Sequence, residues 1–191
     1  MVSENIKDIN IAALDYKNFG QSESPNRGCI ESFDDLLEQA ENFIQIMSEK
    51  YSKPKIFIGG LSLGGAISFR LSIRNKNNLI FGLVMMSPAL RDNDNNMFLL
   101  KKVGKVVGYL FPNMKVAPPI FTDETKYNFE DIIRKDPYVY IDSVLAGTAR
   151  HGLNAMEEQS KSFSKLETPY IVIQGGIDKV CDPFGPIDLE R

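Results

Sequence analysis

Along this chain the apolar residues switch repeatedly between strand spacing and helix spacing, and few architectures accommodate that alternation. Lys55–Gly59 and Leu79–Met86 are near-continuous apolar runs of strand length, and Tyr170–Gln174 is a shorter one. Ile9–Leu14 is a further short β-type run, followed by the polar turn "DYKNFGQSESPNRG". Between them the period changes. Phe33, Leu36, Leu37, Ala40, Phe43, Ile44 and Met47 predict an amphipathic helix over Ser32–Tyr51. Ser32 is placed to cap it, and Asp34, Asp35 and Glu38 suit the positive end of its dipole. Leu63–Arg74 predicts a second helix. Strands separated by helices pair in parallel through crossovers, so the expected class is α/β, a mostly parallel sheet with flanking helices.

The alternation breaks between Ser87 and about Ser143. This stretch begins polar with "RDNDNN", turns helical through Phe98–Phe111, and is then punctuated by Pro112, Pro118 and Pro119. One domain is therefore expected over 1–191, with a core of 1–87 and 144–191 and a cap insert of about 88–143. Leu99, Leu100, Val103, Val106, Val107, Leu110 and Phe111 fall on one face of the predicted cap helix, with Lys101, Lys102 and Lys105 elsewhere. That stripe suits either packing on the domain body or an acyl-binding or membrane-facing surface.

The stretch "GGLSLGGA" follows the run "KIFI" directly and opens the second helix. A strand that becomes a helix within so few residues must reverse sharply, and the turning residue takes a strained backbone conformation. Residues two positions either side then crowd each other, which explains Gly60 and Gly64; Gly65 and Ala66 let the helix approach the sheet. Ser62 is left at the tip of the turn with its hydroxyl exposed above a helix N-terminus, which favours developing negative charge. This G-x-S-x-G arrangement makes Ser62 a candidate nucleophile. Asp178 is a candidate acid, because it follows a buried strand by a short Gly-containing turn. It therefore lies at the carboxyl edge of the sheet, where α/β sites form. Asp182 is the fallback and a natural cap ahead of Pro183.

Other chemistries find little support. Net charge is −3, and no Lys/Arg run exceeds two residues, which argues against nucleic acid as a partner. "DNDNN" has Met97 where a calcium loop needs glycine and Val103 where it needs a bidentate Glu. The glycines around Ser62 lack the Lys-Ser/Thr of a phosphate loop, so neither metal nor cofactor is expected. Cys29 and Cys181 are too few for a disulfide framework. With no basic-then-apolar leader, the expected location is the cytoplasm, with peripheral membrane contact through the cap.

Several segments together resemble the α/β-hydrolases of the monoacylglycerol lipase and serine aminopeptidase type. "LDYKNFGQS" is similar to that family's Asp-containing turn, "IFIGGLSLGGAI" to its nucleophile turn, and "LVMMSPAL" to the strand leading into its cap. "KVVGYLFPNMKV" resembles a cap helix of monoacylglycerol lipases, and "LETPYIVIQGGIDKVCDP" the segment carrying the catalytic acid. The resemblance implies Ser62 as nucleophile, Asp178 as triad acid and the Leu63 backbone N–H as one oxyanion donor. It also implies a histidine base after the last strand. The chain's one histidine, His151 in "AGTARHGLNAM", lies before Asp178 and breaks that order. The family's His-Gly segment before "NIAALDY" and the strand between Ile9–Leu14 and Ile56–Ile58 have no counterpart. The sequence thus reads as a hydrolase cut at both ends. It implies a serine ester hydrolase acting on a monoacyl lipid, inactive as the isolated chain. The alternatives are a catalytically silent fragment that binds acyl lipids or a partner, and a serine peptidase or small-ester hydrolase.

Overall fold

Ser32 takes an extended conformation and its side chain accepts the N–H of Asp35, which starts α1 (Phe33–Lys50) as its cap. The computed structural model describes residues 9–75, 77–92, 98–117 and 130–190. Helix α1 buries Phe33, Leu36, Leu37, Ala40 and Ile44, the stripe its sequence period predicts. Strand β1 (Ile56–Leu61) leads into α2 (Leu63–Arg74), and β2 (Ile80–Met86) follows. Helix α3 (Phe98–Leu110), the short strand β3 (Lys115–Ala117) and α4 (Glu130–Lys135) come next. The chain returns through β4 (Val144–Leu145), α5 (Ala146–Ser160), β5 (Tyr170–Ile173) and α6 (Phe184–Glu190).

The main sheet has three parallel strands in the order β1-β2-β5. One of its faces carries Ile58, Leu83, Met85 and Val172 into a core shared with α1 and α2. Phe69 and Leu37 are fully buried there, each contributing about 2–3 kcal/mol by transfer from water. Phe163 closes this core edge-on against Phe69, with ring centroids 5.5 Å apart. Buried Gln159 of α5 donates to the carbonyl of Ala89, tying the helix to the end of β2.

Among the described residues, the opposite face stays largely exposed. The register sets Phe57 beside Gly82, Gly59 beside Val84 and Ile171, and Leu61 beside Met86 and Ile173, so all of these point outward together. Phe57 and Leu61 are 65% and 64% exposed, and Ile171 and Ile173 61% and 60%. A register shift next to Ile56 brings Gly82 under the Phe57 ring, where a β-carbon would overlap it.

The β-type run at Ile9–Leu14 forms no strand: its backbone is irregular, and Ile9 and Ile11 are exposed. A strand needs a partner for its backbone groups. Here a groove of about 600 Å³, lined by Ile9, Ala12, Leu14, Ile56, Ile58 and Gly64 among others, separates the run from β1. Helix α3 packs on α5 at Gly108, whose hydrogen side faces the Ala146 carbonyl, while Val103, Val106 and Leu110 stay exposed. Leu99 and Leu100 of the expected stripe lie outside the described side chains. No described helix is long and apolar enough to cross a membrane.

Candidate active site

Ser62 occupies the single residue between β1 and α2, with φ 52° and ψ −112°, a left-handed backbone that a β-carbon disfavours. Its peptide is clamped on both sides. The Ser62 N–H donates to the Met86 carbonyl at 2.9 Å, and the Ser62 carbonyl accepts from Ala66 at 3.2 Å and Ala89 at 3.0 Å. The steric account of the flanking glycines holds at Gly60, where a β-carbon would overlap the Gly64 carbonyl group and sit 2.7 Å from its Cα. It does not hold at Gly64. A β-carbon there meets nothing within 4 Å, because Gly64 borders the groove beside β1. Gly65 is needed for a different approach, that of Pro88 onto the helix. Leu63 is the first residue of α2, so its N–H lies in the turn that has no intrahelical acceptor.

Asp178 follows β5 in a turn closed by its own N–H on the Gly175 carbonyl at 3.2 Å. Its Oδ1 accepts the N–H groups of Val180 at 2.8 Å and Cys181 at 3.0 Å, and its Oδ2 accepts Gln174 Nε2 at 3.2 Å. Partial burial pushes the carboxyl up, but these backbone donors, with the Ser87 hydroxyl and the Gln174 amide, outweigh it and hold it below the usual carboxylate range. Asp178 is thus a fixed anion at neutral pH. Ser87, itself at φ 38°, ends β2 and donates its N–H to the Ile173 carbonyl, locking the ends of β2 and β5 together.

Sequence reading assigned Cys181 no part in the site. In the structure it is buried, its Sγ lies 3.4 Å from Ser62 Oγ, and its N–H bonds Asp178, so it bridges the two candidate residues. The only hint in the sequence is its spacing three residues after Asp178. Burial pushes its thiol up against the lowering effect of the Ser62 hydrogen bond, so it is a neutral group and not a base.

His151 lies elsewhere in its contacts. It sits on α5 with Nε2 at 2.7 Å from an Arg150 guanidinium nitrogen, and burial followed by the Arg150 charge lowers its pKa. No described hydrogen bond joins it to Ser62 or Asp178. Asp182 also stands apart from the serine. It accepts the N–H of Phe184 at the start of α6 at 3.0 Å and pairs with Arg91 Nε at 3.0 Å. Beside Leu63 opens a cleft of about 500 Å³, lined by Phe19, Ile30, Tyr138, Tyr140 and Val144 together with Asp15, Asp136 and Asp142.

The arrangement of strands and helices is that of the α/β-hydrolases. A solved monoacylglycerol lipase from Paleococcus ferrophilus superposes with a TM-score of 0.74 over 92% of this chain and 65% of its own, at 22% identity. The family profile described as serine aminopeptidase, S33 matches residues 5–190, and the chain belongs to that family. Within reach of it among curated proteins, human monoglyceride lipase is 26% identical over 180 residues, which is 93% of this chain and 59% of the relative. A monoacylglycerol lipase from Mycolicibacterium smegmatis is 25% identical over 178 residues, 92% of this chain and 62% of its own. The chain therefore spans about three fifths of the length of these two relatives.

Proposed function

We propose that this chain carries the nucleophile and the acid of a serine ester hydrolase for monoacyl lipids. The observation that carries the reading is the strained Ser62 at the junction of β1 and α2. In the proposed step Ser62 Oγ bonds to the ester carbonyl carbon and gives its proton to a base. The carbonyl electron pair moves to oxygen, where the Leu63 N–H receives it. Collapse breaks the ester C–O bond, the alcohol leaves with that proton, and water then hydrolyses the acyl-enzyme. Asp178 would orient and balance the charge of the base. The base itself is not assigned to this chain, since His151 is engaged by Arg150 on α5.

The likeness to monoglyceride lipases supports a monoacyl lipid as substrate, and the largely apolar walls of the cleft beside Leu63 suit an acyl chain. A long-chain fluorophosphonate, offered with imidazole as an external base, is expected to modify the chain at Ser62. Ser62→Ala should take up none; equal uptake by both proteins, read by intact-protein mass spectrometry, sinks the assignment.

A catalytically silent role has one observation in its favour, the neutral Cys181 thiol where Ser62 needs a base. The same labelling separates the two, since a silent binder stays unmodified with imidazole present.

We further propose that α3 touches the lipid surface through Val103, Val106 and Leu110, which are exposed although apolar. Val106→Asp, at 58% exposure, is expected to leave the circular dichroism spectrum unchanged and to lower partitioning onto phosphatidylcholine vesicles several-fold. Undiminished partitioning would remove α3 from the membrane contact.

A further inference from the structure

The loop 87–90, which leaves the end of β2, touches both candidate residues at once. The Ala89 N–H donates to the Ser62 carbonyl at 3.0 Å, and the Ser87 hydroxyl hydrogen-bonds Asp178. The Ser87 N–H donates to the Ile173 carbonyl at 2.8 Å, and Pro88 lies against Gly65 in the first turn of α2. The loop is therefore a bracket between the turn of the serine and the turn of the acid. An irregular segment needs an anchor of its own, because it otherwise samples other conformations. Gln159, at the end of α5, supplies one: its Nε2 donates to the Ala89 carbonyl at 2.6 Å.

Gln159 is fully buried, at 0% exposure. Its Oε1 is shielded from water and accepts no hydrogen bond among the described residues. A buried amide oxygen without a partner is destabilising, so half of this side chain works against the fold. Such an atom calls for a reason other than packing. We infer that Gln159 is a positioning residue: it fixes loop 87–90 so that the Ser62 peptide stays strained and Ser62 and Asp178 keep their relation. No described hydrogen bond joins Gln159 to Ser62 or Asp178, so its effect passes through Ala89. Released from Gln159, the Ala89 carbonyl is free to turn to solvent, and the N–H of the same residue leaves Ser62 with it. Ser62, at φ 52°, then lacks one of the bonds that hold it there. The inference rests on the proposed role of Ser62 for its chemical meaning, whereas the bonds from Gln159 through Ala89 to Ser62 stand without it.

Gln159→Met keeps the length of the side chain and removes the donor. One orphaned oxygen, that of Ala89, then replaces another, Gln159 Oε1, so the urea midpoint should stay close to that of the parent. Amide hydrogen exchange followed by NMR should show the Ala89 N–H losing about tenfold in protection, with Phe69 inside α2 unchanged. Labelling by the long-chain fluorophosphonate with imidazole should lose about tenfold in its maximal rate constant, because small misplacements of a reacting group are costly. The probe concentration giving half that rate should not change. A side chain that only packs would not separate Ala89 from Phe69, nor the maximal rate from the half-maximal concentration. Unchanged Ala89 protection, an unchanged maximal rate, or a Gln159→Met chain that loses its fold would overturn the inference. A parent chain that takes up no label overturns the role of Ser62 instead, and exchange at Ala89 then decides the inference by itself.

Discussion

Purified and without additives, the 191-residue chain is expected to hydrolyse a short p-nitrophenyl ester no faster than its Ser62→Ala variant. A serine hydroxyl holds its proton near neutral pH unless a base stands beside it. The described partner of Ser62 Oγ is the Cys181 sulfur, whose proton burial retains. The sequence has one histidine, and its ring nitrogen faces Arg150 on α5. Removing the base from a serine triad costs about a millionfold in turnover, and that is the deficit expected here. Asp178 does not compensate, because its oxygens are already engaged by the Val180 and Cys181 amides and by Gln174. Robust turnover abolished by both Ser62→Ala and His151→Ala would refute this and make His151 the base.

Gly60→Ala and Gly64→Ala are expected to have opposite effects, although the two glycines are equivalent in the motif. At Gly60 the added methyl runs into the Gly64 backbone, which cannot step aside without unwinding the first turn of α2. Overpacking against backbone puts the loss near the upper end of the usual range, about 3 kcal/mol. At Gly64 the methyl enters open space in a helical position with an ordinary φ, so removing glycine should stabilise by about 0.5–1 kcal/mol. Urea midpoints of the two variants test this directly. A Gly60→Ala midpoint at or above that of the parent would show that the turn has more room than the structure gives it.

Much of the fold could be read from spacing. The α1 stripe, the Ser32 cap and the bounds of α2 follow from local periodicity and capping, which are properties of neighbouring residues. Ile9–Leu14 could not be read in the same way. Its composition is that of a strand, but a strand exists only where another supplies hydrogen-bond partners, and the groove beside β1 supplies none. The candidate site divides along the same line. Ser62 announces itself through its glycines, whereas Cys181 and Ser87 join the site through contacts across the ends of β1, β2 and β5. No local pattern encodes those contacts. Likewise, sequence spacing treats Gly60 and Gly64 alike, and only the position of the groove distinguishes them.

The clamp on the Ser62 peptide bears on the order in which this chain folds. Its amide bonds to Met86 and its carbonyl to Ala89, residues reached only after α2 and β2 have formed, while Ser87 is in turn held by Ile173. The segment from β1 into α2 by itself has no means of keeping Ser62 at φ 52°, and would relax to an unstrained conformation. The bent serine therefore belongs to the native side of the folding barrier. It arises when three strands have docked, the first and last of them more than a hundred residues apart in the chain, so closing those loops must precede it. Before that point the serine has no reason to be strained, and the bent conformation is expected only together with the assembled sheet.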